Sequence, residues 1–459
     1  MERLIWSLYG MLFALGALFP EKNSLISLII VCFNLVILFV DRNKQDIVLF
    51  SSFVLGSEAI AVINMAVYCV FSEKGIVRFN KIKSYQFFAI LVLTGNSIIC
   101  SFIYNTFWNC VFYIIYLLIL AITAISVYQK IEKRRLLEIT KKFIIIELLA
   151  TLCIILRIHS IIPEDAFYGT MGNAHFFGNW LIIVIFVLIY TNSNSSQVNL
   201  YKQTKENIFY FIMLLLMLYL SDSKTLILVM ALSAVIYFII SRFVSDSKRI
   251  LVFLLTLCTG MFCFIGIIYI PEVRNHLKGL NKYIDLYVYT DGWNPKFEYF
   301  RGTLFDSLKG LRLLAGYGFG QYGSRVANAF AYSEMWRADN FINNFISSIF
   351  NPHFVPQFAQ YVSMYTEEFV SGIRWRSAIL SYPFSSLIAL IGETGIIGVI
   401  LFSNFINKLA RNSVSKIIIF YFAIACIFDI YFDNYQCIGI VIVYILNTYK
   451  EDGYISQKY

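Results

Sequence analysis

The sequence predicts an all-α, polytopic integral membrane protein with about 12–13 transmembrane helices and one large, mostly helical external loop. Three observations carry this reading. Of the 459 residues 59% are hydrophobic and only 14% are charged, where a soluble domain carries about a quarter charged residues. Mean hydropathy is +0.70. Apolar runs long enough for a crossing, which takes about 20 residues, recur along nearly the whole chain except between residues 271 and 382.

In chain order the apolar runs place spans near 4–20, 24–40, 47–71, 87–103, 106–127, 143–162, 176–191, 208–220, 225–241, 250–270, 383–406, 417–432 and 436–448. The first has the charge and apolar core of a signal peptide, but no small-x-small cleavage site follows it, so it reads as a retained helix. The runs at 208–220 and 436–448 are short for a full crossing, which points to tilted, broken or re-entrant helices around an internal cavity. The domains are therefore 1–270, transmembrane helices with short loops; 271–382, the external loop; 383–448, the C-terminal helices; and 449–459, a cytoplasmic tail.

Orientation follows from Lys and Arg, which resist translocation. Lys130, Lys133, Arg134, Arg135, Lys141 and Lys142 mark residues 128–142 as cytoplasmic. Counting forward keeps Lys202 and Lys205, then Arg242, Lys248 and Arg249, then Lys408, Arg411 and Lys416 inside, and puts 271–382 outside. Counting backward keeps Lys74, Arg78, Lys81 and Lys83 inside but sends the N-terminus out, against the pull of Arg3, so one crossing before residue 128 is miscounted. The net charge of +9 is accounted for by this distribution and implies no nucleic acid. All nine cysteines sit in or beside apolar runs, with no CxxC spacing and no disulfide framework.

Several groups carry potential chemistry. The string GYGFGQYG, Gly316 to Gly323, superficially matches a phosphate-binding loop, yet it follows a helix rather than a strand. It reads first as a tight turn, with backbone approach to a diphosphate as the alternative. Arg157, at the outer end of its span, is either a snorkelling side chain or an inward-facing anion ligand. Lys224 in LSDSKTLILV shares that side of the membrane with Asp222, which can neutralise it. Arg301 lies three residues before the apolar face of a helix that stops at Gly316, and is either a surface charge of the long loop or a functional cation. Arg312, Arg325, Arg374 and Arg376 are further loop cations for an anionic substrate, and His353 is a candidate general base. The four histidines form no HxH or HxxxH pair, so no metal site is expected. Glu58, Glu147, Asp429 and Asp433 read as ion-pair partners for the basic groups.

Five segments together resemble the O-antigen polymerase (Wzy-type) family and the related O-antigen ligases: DAFYGTMGNAHFFGNW (165–180), LSDSKTLILV, FEYFRGTLFDSLKGLRLLAGYGFGQYG, YPFSSLIALIGETGIIGVILF and YFDNYQ. They run in the family's order from about residue 150 onward. The resemblance implies a multi-pass enzyme of the bacterial inner membrane with its large loop in the periplasm. Such an enzyme moves a growing glycan from undecaprenyl diphosphate onto a lipid-linked oligosaccharide repeat unit. It also implies Arg301 and Arg157 as the arginines on the diphosphate, membrane lipid and a chain-length regulator protein as partners, and no cofactor or metal, because the donor is already activated. The ligase pattern has a His-Asn pair where this chain has Ser385-Ser386, which leaves the general base unassigned. A ligase-type glycosyltransferase and a flippase for the same lipid-linked saccharide are the competing readings; a flippase would show internal pseudo-symmetry, and no halves are visible.

Overall fold

The computed structural model describes residues 2–71, 84–130, 133–162, 166–191, 197–221, 223–243, 295–324, 355, 357–361, 385–409, 413–429 and 431–448. These form helices α1 (Glu2–Leu18), α2 (Asn23–Val40), α3 (Gln45–Ser51), α4 (Glu58–Phe71), α5 (Ser84–Ile103), α6 (Phe107–Lys130), α7 (Lys133–Ile158), α8 (Ala174–Thr191), α9 (Gln197–Leu220) and α10 (Lys224–Phe243). In the external segment α11 (Pro295–Arg301) runs into a π-helical turn (Gly302–Ser307) and then α12 (Leu311–Ala315). The chain closes with α13 (Ser386–Leu409), α14 (Ser413–Phe428) and α15 (Tyr435–Thr448). No strand occurs among the described residues.

One end of the bundle is ionic. The Glu2 carboxylate accepts from Lys44 Nζ at 3.0 Å, Arg135 Nη1 at 2.9 Å and Lys142 Nζ at 2.9 Å, and Arg135 Nε reaches Asp46 Oδ2 at 2.7 Å. Burial alone would raise the Glu2 carboxyl's pKa; the hydrogen bonds from Lys142, Arg135, Lys44 and Trp6 hold it well below the usual range instead. This cluster fixes the starts of α1, α3 and α7 side by side, so α1 runs parallel to α7. At the far end of the same pair Arg157 donates to Ala17 O at 2.9 Å.

The apolar run at 47–71 is a hairpin rather than one crossing, which corrects the expected span. Asn64 on α4 donates its Nδ2 to Ser52 Oγ at 2.8 Å, and Asn34 donates to Asn64 Oδ1 at 2.8 Å and to Ser51 Oγ at 2.9 Å. Phe71, at the end of α4, meets Phe39 at the end of α2, with ring centroids 4.8 Å apart. A chain continuing onward from α3 would carry Asn64 about 18 Å past Ser52 at 1.5 Å per residue. The second leg therefore returns, and both legs begin and finish at the ionic end. The N-terminus lies at the same end of the bundle as residues 133–142.

The bundle is apolar outside and polar within. Phe39, Val70, Phe102, Leu156 and Phe243 are exposed, whereas Asn34, Asn64, Glu147, Asn179 and Glu393 are buried. This is the inverse of a water-soluble helix bundle, in which polar groups cover the outside. Among the described residues four helical stretches are long and apolar enough to cross a membrane: Pro20–Val40, Phe107–Ala124, Thr225–Phe243 and Ser386–Ile406. The remaining apolar helices, such as Ala174–Leu188 and Tyr435–Leu446, are shorter. The run expected to be short at 208–220 is the apolar part of the longer α9. The span expected at 250–270 lies outside the described residues.

Candidate functional site

At the end opposite the ionic cluster the helices stop in glycine- and serine-rich breaks, and those breaks bind one another. Ser223, between α9 and α10, donates to Ala174 O at the start of α8 at 3.1 Å. The turn before α8 is held by Glu147 of α7, which is fully buried and accepts from Thr170 N at 2.9 Å and from Thr170 Oγ1 at 2.6 Å. Gly169 has φ +56°, and a Cβ there would lie 2.3 Å from Glu147 Oε2, so only glycine fits. The tip of the α3–α4 hairpin joins the same layer: Gln436 of α15 donates to Leu55 O, and a Cβ on Gly172 would come within 2.9 Å of Gly56 O.

The glycine string closes around an internal anion. Gly320 N donates to Glu393 Oε2 at 3.0 Å, and Tyr322 N and Ser324 N donate to Oε1 at 3.2 and 3.1 Å. Tyr317 N and Gly318 N reach the carbonyls of Gly392 and Glu393, each at 2.9 Å. Successive amides pointing into one concavity form an anion nest. The donors of this one are taken by Glu393, so the reading as a diphosphate cradle gives way to an intramolecular clasp. The helix yields to accommodate it, since Gly395 of α13 has φ 58° and ψ −158°.

The clasp lies inside the bundle. Phe319 N donates to Ser97 Oγ at 2.8 Å, Gln321 Nε2 to Ser97 O at 2.9 Å, and Phe319 stacks on Tyr113 with ring centroids 5.9 Å apart. Ser97 lies six residues before the end of α5, about 9 Å along its axis. Residues 316–324 thus descend between α5, α6 and α13. The segment from Phe297 to Ala315, whose apolar spacing reads as short helices, is divided by the π-helical turn and by Gly310 at φ +60°.

The last break, 429–434, adjoins the clasp. Tyr113 donates to Asp433 Oδ1 at 3.1 Å and Tyr116 to Phe432 O at 2.9 Å. The Ser385-Ser386 pair ties α13 to the same break: Ser385 Oγ donates to Cys426 O and Phe432 N to Ser386 Oγ, both at 3.0 Å. Lys296, only 1% exposed, donates to Phe428 O at the C-terminus of α14, where the helix dipole favours a cation. Burial pushes its ammonium down to about 7, with Asp429 pulling partly back. Of the carboxylates expected as ion-pair partners, Glu147 accepts from Thr170, Asp433 accepts from Tyr113, and Asp429 faces Lys296. The Glu58 side chain is not among those described.

The structure does not bring Arg301 and Arg157 together in any described contact. Arg301, 43% exposed in its side chain, is neutralised within its own segment by Glu298 at 2.9 Å and Asp306 at 3.5 Å. Arg157 donates to Ala17 O and to Tyr168 Oη at 3.1 Å. Arg312 lies 4.2 Å above the Tyr317 ring and donates to Tyr104 Oη at 2.6 Å. Lys224 opens α10 beside Ser223. Arg325, His353, Arg374 and Arg376 lie outside the described residues, as does the cytoplasmic tail. Sequence reading missed Lys296, Tyr113 and Ser97, whose only signal was a polar residue in or beside an apolar run. Among the described residues no three His, Cys, Asp or Glu side chains converge as metal ligands would.

The chain matches no family model, no curated protein and no solved structure. What the fold contributes is geometric: five polar segments scattered from Phe167 to Gln436 form one layer at one end of an apolar-surfaced bundle.

Proposed function

We propose that the chain is a metal-independent membrane glycosyltransferase of the polysaccharide-polymerase type, which transfers a glycan from undecaprenyl diphosphate to a lipid-linked repeat unit at the outer face of a bacterial inner membrane. The observation that carries the reading is the convergence of the segments that resemble the family: the Gly-Thr turn before α8, the Ser223 break, the glycine turn, Glu393 with its kink, and the 429–434 break. Separate spans joined by unrelated turns have no need to interlock in this way.

Under this reading the ionic end faces the cytoplasm, as basic residues do, and the layer of breaks faces outward. Irregular backbone at membrane depth is tolerated where it lines a cavity, and the clasp places such backbone beside lipid-facing helices. The reaction needs a hydrophobic path for the polyprenyl chain, a cation for the leaving diphosphate and an external surface for the sugars. Arg301 is the cation by motif position, and it takes an anion by exchanging Glu298 or Asp306. Ser385-Ser386, which serve as a structural tie, support the polymerase branch over the ligase branch.

The test is the surface glycan of a strain lacking the gene. Loss of long chains with single capped repeat units remaining, restored by the wild-type gene and not by Arg301→Ala at equal protein level, is the expected result. An uncapped core with accumulated lipid-linked polymer would instead identify a ligase, and unpolymerised units retained on the inner face would identify a flippase.

A further inference from the structure

The short segment KGLRLLAG, Lys309 to Gly316, has a composition that its intramolecular contacts do not use up. Arg312 touches the Tyr104 and Tyr317 rings, Tyr104 Oη and Cys100 Sγ, and Lys309 makes only backbone contacts. Among the described residues neither has a carboxylate partner, in contrast to Arg301. The two cations sit on one turn, where Arg312 N donates to Lys309 O at 3.2 Å. Between and beyond them Leu311, Leu313 and Leu314 are exposed, Leu311 at 83%. The α12 segment packs on α13 at Gly395, next to which Ile396 and Ile400 are also exposed, and on α5, where Ile99, Phe102 and Ile103 are exposed.

Two uncompensated cations at the top of an apolar wall fit an amphiphile with an anionic head and a hydrocarbon tail. We propose that Lys309 and Arg312, with the apolar wall of α12, α13 and α5, form a docking site for the diphosphate end of a polyprenyl diphosphate. The site is separate from Arg301 and serves one of the two carrier lipids that the proposed reaction requires; in this sense it rests on that reading. Charge complementarity selects this occupant. A diphosphate carries at least two negative charges and matches both cations, whereas an ordinary phosphodiester headgroup carries one. Arg312 is held between Tyr104 and Tyr317, so its planar fork is already ordered when the anion arrives. Tyr317 in turn stacks on Tyr322 with centroids 4.8 Å apart, and Tyr322 on Tyr299 at 6.2 Å, so the aromatic row begins where the headgroup sits.

The experiment uses the full chain in nanodiscs, with undecaprenyl diphosphate, phosphatidylglycerol and inorganic diphosphate as separate probes and bound lipid read by native mass spectrometry. Undecaprenyl diphosphate is expected to be retained, and Lys309→Gln and Arg312→Gln are each expected to weaken retention about tenfold or more, as loss of a charge-assisted contact does. Leu311→Ser, at an exposed position that leaves the fold unburdened, should weaken it several-fold. Inorganic diphosphate alone should not bind, because the wall contributes only through a tail. Equal retention by wild type and the two glutamine variants would overturn the proposal, as would phosphatidylglycerol competing one for one. If Arg312→Gln disturbs packing against the tyrosines, Arg312→Lys and Lys309→Gln, at an exposed position, carry the test alone. Failure of the polymerase reading is distinguishable: the lipid would still bind in a charge-dependent way while the deletion strain kept long glycan.

Discussion

Replacing Glu393 by Gln tests whether the glycine turn is held by an internal anion. The wild-type carboxylate receives three backbone N–H groups, two on Oε1 and one on Oε2. A glutamine can keep its carbonyl toward Tyr322 and Ser324, but its NH₂ then faces the N–H of Gly320, donor against donor. An unsatisfied buried donor costs about 1–3 kcal/mol, and the two surviving bonds lose their charge assistance, roughly half their strength. Relief from burying a charge offsets part of this, which leaves a net cost of about 3 kcal/mol. At about 1.4 kcal/mol per factor of ten, the turn should open about 10²-fold more often. Hydrogen exchange of the 316–324 peptide in detergent reads this directly, with peptides from α1 and α7 as internal standards. Exchange at the wild-type rate in that peptide would refute the clasp as the element that holds the segment within the bundle.

Other outcomes follow from the same geometry. Gly169→Ala places a methyl against Glu147 at a positive φ, and should prevent accumulation of folded protein or lower its Tm by several degrees in a fluorescence melt, whereas Gly95→Ala, where a Cβ meets nothing within 4 Å, should not. Glu2→Gln should lower Tm at low salt, and the difference from wild type should shrink as salt screens the remaining cations. Lys296 has a folded value near 7 against its usual 10.5. Between those values unfolding takes up a proton, so stability should rise with pH across that window and stay flat below it; Lys296→Met should flatten the slope of Tm against pH.

The lengths and order of most helices were legible in apolar run length, and the ionic end was legible in the spacing of Lys and Arg. The hairpin was not, because an uninterrupted apolar run looks the same whether the chain passes through or turns back. Its markers, Ser51, Ser52, Gly56 and Ser57, are too short a break to outweigh the run. The site was legible only in outline. Gly316 to Gly323 announced a turn, but the carboxylate that fills it lies some seventy residues later, and no local pattern links the two. In the same way Glu147 looked like a lone intramembrane acid seeking a cation, since its partner is a threonine across a turn. Arg301, which motif position favoured, carries its own counter-charges in Glu298 and Asp306, a pairing visible at i−3 and i+5 but outranked by the resemblance.

The doubled-back hairpin also bears on how the chain is made. As it leaves the ribosome, 47–71 offers the insertion machinery one continuous apolar stretch, and the simplest response is to thread it straight across. What opposes this is charge at both flanks: Arg42 and Lys44 before it, Lys74, Arg78, Lys81 and Lys83 after it. Asn34 and Asn64 would each be stranded in lipid unless they met, so the two legs gain by entering together behind α1 and α2. The basic residues after Phe71 thereby act as a brake on translocation. Neutralising them should free the stretch to go through once, with every later helix then facing a choice between inverting and failing to insert.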